Sequence, residues 1–168
     1  MSQHGPLVIM FTDGSALGNP GPAGLGVVLM SGAHRLEISQ GFRLSTNNRM
    51  ELLAVIVGLE ALKKPDCKVQ VHTDSKYVHD AVSKGWLRQW QRNGWRTAQK
   101  SPVKNPDLWK RFMIVEAQHQ IEFVWVKGHA GIPENERCDV LATTAASGKN
   151  LMEDDGYLAG IASGDVLL

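Results

Sequence analysis

The chain has little cysteine. Its 168 residues include two, Cys67 and Cys138. That is too few for a disulfide framework, so both are expected as free thiols in a reducing compartment. No C-x-x-C pair and no H-E-x-x-H run occurs, which removes the usual zinc signatures. No apolar stretch reaches the roughly 18 residues needed to cross a bilayer, so no membrane association is expected. The opening residues, M-S-Q-H-G-P, lack a basic n-region and an apolar h-region. No secretory signal is expected there, and the expected location is cytoplasmic. Internal repeats are missing as well.

What remains is an ordinary soluble composition. Hydrophobic residues make up 43% and charged residues 21%, which is globular rather than disordered. The length suits one domain with a substantial core, expected to act as a monomer. The net charge of +1 conceals an asymmetry: Lys84 to Arg111 carries eight basic residues against the single acid Asp107. The rest of the chain is therefore acidic. A short charge run is usually a solvated helix face, but this one is long and holds Trp86, Trp90, Trp95 and Trp109. It reads as a grip on a polyanion. At least two of those tryptophans are expected to form a small satellite core for the segment.

Periodicity gives the order of elements. Leu7 to Thr12, Leu25 to Met30 and Arg35 to Leu44 read as strands joined by short glycine turns, an antiparallel meander. Met50, Leu53, Ala54, Val57 and Ala61 recur at helical spacing, with Leu52, Val55, Ile56 and Leu59 widening the apolar face. Thr46 or Asn47 can cap that helix, and Pro65 ends it. Lys68 to Thr73 is a fourth strand. Helices follow at Lys76 to Lys84, Trp86 to Trp90 and Asp107 to Gln118. Ile121 to Val126 is a fifth strand, and a helix opens at Pro133 and runs to about Ala146. The expectation is an α/β fold with a five-stranded mixed sheet, flanked by helices. After Gly148 the periodicity stops, so residues 149–168 are expected to be a mostly disordered acidic tail on a domain spanning 1–148.

Four acids stand in unusual places. Asp13 ends the first strand and is followed at once by Gly14. Glu51 lies early on a helix that is otherwise apolar almost all round. Asp74 ends the fourth strand, and Asp139 lies on the last helix. Singly, each has a structural use as a turn, cap or surface residue. Together, carboxylates converging on one sheet edge would repel one another and hold protons unless a cation were present. All-oxygen ligation suits Mg²⁺ or Mn²⁺. Two such ions about 4 Å apart can activate water and stabilise the leaving oxygen of a phosphodiester. That use fits the basic segment better than glycoside hydrolysis does. His129, between Gly128 and Gly131 in the loop before the Asp139 helix, is a candidate mobile proton carrier. His4, His34, His72, His79 and His119 have no comparable setting.

These residues carry a resemblance. F-T-D-G-S (Phe11–Ser15), G-N-P-G-P-A-G (Gly18–Gly24), S-T-N-N-R-M-E (Ser45–Glu51), T-D-S-K-Y-V (Thr73–Val78), W-V-K-G-H-A-G (Trp125–Gly131) and P-E-N-E-R-C-D-V-L-A (Pro133–Ala142) occur in this order. The set is similar to the bacterial type 1 ribonuclease H family. The resemblance runs from about Leu7 to Ala146 and implies a single-domain ribonuclease H-like fold. It further implies a two-metal endonuclease that cuts the RNA strand of RNA–DNA hybrids, with two Mg²⁺ ions and Mn²⁺ able to substitute. It assigns Asp13, Glu51, Asp74 and Asp139 to the metals and His129 to catalysis. Gly14, Asn47, Asn48 and Lys76 would contact the RNA, and Asn19 and Thr46 a DNA phosphate. Residues 84–104, with Lys84, Arg88, Arg92 and Arg96, would be the basic protrusion on the DNA strand. Two departures stand out. Lys76 occupies a position where glutamine is familiar in the family, and Ile132 replaces a second loop histidine.

Overall fold

The structure, a computed structural model, describes residues 5–128 and 131–163. Its strands are β1 (Leu7–Ala16), β2 (Gly21–Ser31), β3 (His34–Ser45), β4 (Lys68–Thr73), β5 (Gln120–Trp125) and β6 (Leu151–Met152). Its helices are α1 (Asn47–Glu60), α2 (Lys76–Ser83), α3 (Trp86–Arg92), α4 (Pro106–Glu116), α5 (Pro133–Ala146) and α6 (Asp155–Ser163). The strands form one six-stranded sheet in the order β5-β4-β1-β2-β3-β6. The β1/β2 and β2/β3 pairs are antiparallel, while β1/β4, β4/β5 and β3/β6 are parallel. The mixed sheet is as the sequence predicts, with one strand more.

Both faces of the central strands are covered, which is why β1 and β2 are apolar almost without alternation. Val8 and Met10 join β2, β4, α1 and α4 side chains in the main core. The intervening Ile9 and Phe11 face a smaller cluster with Val28, Cys138 and Leu141 under α5. Two glycines of β2 set how close α5 can come. A Cβ on Gly24 or Gly26 would overlap the carbonyl oxygens of Ala142 and Cys138. Without side chains there, the helix backbone rests directly on the sheet.

Thr46 caps α1, its hydroxyl accepting from the Arg49 N–H at 3.2 Å. The helix ends at Glu60, with Ala61 as its C-cap, ahead of Pro65. Trp109 is fully buried, and Trp90 and Trp95 pack against the same core. Trp90 meets Trp109 edge-on at 5.8 Å. Trp90, Trp95 and Trp109 thus belong to the main core rather than a satellite, while Trp86 is exposed.

Two sequence expectations need correcting. β1 does not stop at Thr12, because Asp13 to Ala16 continue the ladder against Gly26 to Ala23 of β2. A ladder needs only backbone groups, so it outlasts the apolar run that betrayed it. The tail is not disordered through residue 163. β6 pairs with Gly41 and Phe42 of β3, α6 follows, and Tyr157 is buried.

One ion-pair network holds this segment. Arg49, 2% exposed, donates to both carboxylate oxygens of Asp154 at 2.8 and 2.9 Å. It also donates to both oxygens of Asp107 at 2.9 and 2.8 Å. Ser45 Oγ donates to Asp154 at 2.6 Å, and the Tyr157 N–H donates to it at 3.2 Å. Burial acts to lower the Arg49 pKa, but the bonds to Asp107 and Asp154 outweigh it and raise it. Local periodicity cannot report a partner 105 positions away.

Removing one partner of a buried ion-pair network leaves the remaining charge under-compensated, here with Asp107 alone against Arg49. Asp154→Ala, or truncation after Gly148, is expected to cost about 3 kcal/mol, a fall in Tm of roughly 6–12 °C for a domain of this size. Thermal unfolding at neutral pH checks this; an unchanged Tm would contradict the clamp.

Candidate active site

Asp13 is the seventh residue of β1, on the face that meets α5. Its cross-strand neighbour is Gly26, the glycine onto which the α5 backbone settles at Cys138. Asp139, the next residue on that helix, is thereby brought towards Asp13. Gly14 faces the other way, where a Cβ would overlap the backbone of Met50 and Glu51. Any side chain at that position would push α1, and Glu51 with it, off the strand. β4 runs parallel to β1, pairing Phe11 with His72. Carrying that register two residues on sets Asp74 beside Asp13.

The four acids, from β1, α1, the β4–α2 junction and α5, thus line one cleft of about 240 Å³, together with Gly14, Ser15, Asn135 and Glu136. Burial, reinforced by Asp74 and then by Asp139 and Glu51, raises the Asp13 pKa from 3.8 to about 8, against the opposing Gly14 N–H. Burial and Asp74 also raise Glu51, while a hydrogen bond from Ser75 opposes them. The cleft therefore holds more negative charge than its surroundings offset. Among the described residues no three His, Cys, Asp or Glu side chains stand, as placed, where they could together hold a metal ion, so the case for a cation rests on the chemistry of the donor set. An open all-carboxylate set fits Mg²⁺, which keeps several waters and shares its coordination with substrate phosphate.

His129 lies outside the described residues. Its neighbour Gly128 runs beside the cleft, where a Cβ would stand 3.1 Å from Asp74 Oδ2. Asn19 and Asn47 are joined at the mouth of α1: the Asn47 N–H donates to Asn19 Oδ1 at 3.2 Å, and Asn47 Oδ1 accepts from the Ala16 N–H at 2.6 Å. Thr46 adjoins them, its oxygen engaged in the helix cap; a hydroxyl that accepts can still donate. Asn48 and Lys76 are exposed at the first turns of α1 and α2.

The basic segment is less uniformly positive than its composition. Lys84 pairs with Asp80 at 3.4 Å and Arg88 with Glu116 at 2.6 Å. Arg111 pairs with Glu60 at 2.5 Å. Arg92 and Arg96 are exposed, and Arg96 donates to the Lys100 carbonyl at 3.0 Å.

Three residues escaped the sequence reading. Asn135 is buried in the cleft wall, and among the described residues its Oδ1 has no hydrogen-bond partner. Its position four residues before Asp139 put both on one helix face, a usable signal. Glu136 stands in the first turn of α5, where an acid also suits the helix dipole. Ser75 caps α2, its hydroxyl oxygen accepting from the Val78 N–H at 3.2 Å.

Residues 6–147 match the family described as RNase H. The ribonuclease H of Nitratidesulfovibrio vulgaris is 57% identical over 152 residues, covering 90% of this chain and 97% of that one. That of Aeromonas hydrophila is 57% identical over 148 residues, covering 88% and 95%. Among solved structures, LC9-RNase H1, a type 1 RNase H with the type 2 active-site motif, superposes with a TM-score of 0.79 at 29% identity, covering 98% of this chain and 87% of that one. LC11-RNase H1 in complex with RNA/DNA hybrid gives a TM-score of 0.61 at 28% identity, covering 83% and 96%.

The Asp13 carboxyl titrates near 8 in the folded protein against an ordinary 3.8. Between those values the folded protein keeps a proton that the unfolded chain has released. Stability therefore falls as pH rises through that window, and the full loss is present above it. In metal-free buffer, Asp13→Asn is expected to raise Tm at about pH 9 and to change it little near pH 4. Mg²⁺ should raise the wild-type Tm more than the variant's. A lower Tm for the variant in alkaline metal-free buffer would contradict this charge balance.

Proposed function

Because the chain belongs to the ribonuclease H family, we propose that it is a metal-dependent endonuclease that hydrolyses the RNA strand of RNA–DNA hybrids, leaving 5′-phosphate and 3′-hydroxyl ends. The observation that carries this reading is the convergence of Asp13, Glu51, Asp74 and Asp139 on one cleft. Burial, reinforced by the charge of the other three acids, raises Asp13 far above a normal carboxylate. The four side chains would hold two Mg²⁺ ions, with Mn²⁺ able to substitute. When bound, the ions supply Lewis-acid activation of water and charge stabilisation of the leaving oxygen. His129 would carry a proton to or from the reacting oxygens.

Substrate selection rests on residues beside the cleft. Only the 2′-hydroxyl distinguishes RNA from DNA at a given position. Asn47 and Asn48, with the Gly14 backbone, would read it, and amide groups can both donate to a hydroxyl and accept from it. Lys76 would add a charge contact where an uncharged amide is familiar. Asn19 and Thr46 would take a phosphate of the DNA strand. That LC11-RNase H1 is seen bound to RNA/DNA hybrid supports the same substrate here. The protrusion would hold the DNA backbone without reading bases, so little sequence preference follows. A monomer acting in the cytoplasm is the simplest setting for these contacts.

A cleavage panel tests the reading. Labelled hybrid is expected to be cut only with Mg²⁺, while RNA duplex and DNA duplex stay intact. Cleavage of DNA duplex with the hybrid untouched would assign the cleft to another nuclease activity. Wild-type rates from Asp13→Asn would remove the metal role.

The ion pairs of the protrusion sharpen a second test. Arg92→Ala and Arg96→Ala are each expected to raise KM for hybrid and reduce the salt slope of binding by about 1, with kcat unchanged. Arg88→Ala should do less, because its guanidinium is held by Glu116. An equal or larger effect at Arg88 would show that the Glu116 pair opens on binding.

A further inference from the structure

We infer that Ser75 is a positioning residue for the metal cleft, fixing the Glu51 carboxylate while it caps α2. The inference rests on the metal-site reading above and extends it to a side chain that is no ligand. Ser75 is 3% exposed. Its hydroxyl donates to Glu51 Oε2 in a short hydrogen bond, and the same oxygen accepts from the Val78 N–H at 3.2 Å. The Ser75 N–H donates to Thr73 Oγ1 at 3.0 Å. That last bond spans Asp74, so one small knot braces two of the four acids, Asp74 within the β4–α2 junction and Glu51 on α1.

The geometry exceeds what a helix cap needs. A cap requires only an acceptor for the helix N–H. Here the donor side of the hydroxyl is spent on a carboxylate from a different element, 24 residues earlier. A hydroxyl-to-carboxylate bond is charge-assisted and strongly directional. It fixes the plane of the Glu51 carboxylate and leaves Oε1 and the remaining lone pairs of Oε2 for a cation. It also favours the ionised form, opposing the upward push of burial and Asp74. Partners of this kind orient a ligand without touching the ion, and their loss typically weakens metal binding about 10–100-fold.

The test is calorimetric titration of Mg²⁺ into the full chain, read beside hybrid-cleavage kinetics. Ser75→Gly keeps most of the cap, because glycine caps helices nearly as well as serine, but it loses the donor. It is expected to weaken Mg²⁺ binding about 10–100-fold, raise the Mg²⁺ concentration needed for half-maximal cleavage, and leave KM for hybrid unchanged. Ser75→Thr, which restores the hydroxyl, should recover Mg²⁺ affinity. If the glycine variant does not fold, Ser75→Cys carries the test as a near-isosteric weak donor, with the same direction and a smaller loss. Mg²⁺ affinity within about twofold of wild type, with only a lower Tm, would reduce Ser75 to a cap and overturn the inference alone. A wild-type chain that binds no Mg²⁺ would overturn the metal reading itself, and this inference with it.

Discussion

Mutual repulsion among four carboxylates is the constraint around which this molecule is arranged. Left to themselves, Asp13, Glu51, Asp74 and Asp139 would separate or hold protons, and Asp13 in part does so. They stay together because each is fixed by something that cannot yield cheaply. Asp13 lies inside a paired strand, and Asp74 follows a parallel neighbour in register. Glu51 rides a helix seated on Gly14, and Asp139 a helix seated on Gly24 and Gly26. The apolar core on the α1 face supplies the cohesion that resists this repulsion.

A second charged centre works in the opposite sense. Arg49 lies two residues before Glu51 on α1, yet its guanidinium is fully compensated by Asp107 and Asp154. One end of α1 thus carries, side by side, a cation paired with two carboxylates and an anion grouped with three other acids. The satisfied pair anchors α1 to α4 and to the segment after Gly148. The grouped acids are the part with chemistry left to do. The basic segment repeats this division, since Arg88 is neutralised locally by Glu116 while Arg92 and Arg96 extend outward.

How much of this was legible in the chain depended on range. The β4 bounds and the helix after Pro133 follow from local patterns and match. The four acids were recognisable because each interrupts an apolar context or recurs in a motif, and the cleft does gather them. The extension of β1 past Thr12 was hidden because Asp13, Gly14 and Ser15 look like a turn, and only the partner strand keeps them extended. The ordered tail was hidden because Asp154 and Arg49 are far apart in sequence and acquire meaning only on contact. Asn135 was open to a helical-spacing argument from Asp139. The Ser75–Glu51 bond was not, since no spacing rule links a residue after a strand to one on an earlier helix.

The glycines beneath α5 have a consequence beyond packing. On that face, helix meets sheet as backbone against backbone, with no side chain at Gly24 or Gly26 to act as a cushion. Close-packed contacts of this kind compress very little. The separation of Asp13 from Asp139 is therefore calibrated by main-chain dimensions, which do not vary from one protein to another. The core on the opposite face can exchange leucine for isoleucine or methionine and repack. Stability and reactive spacing are thus held on different sides of one sheet, and the first can drift over generations without disturbing the second.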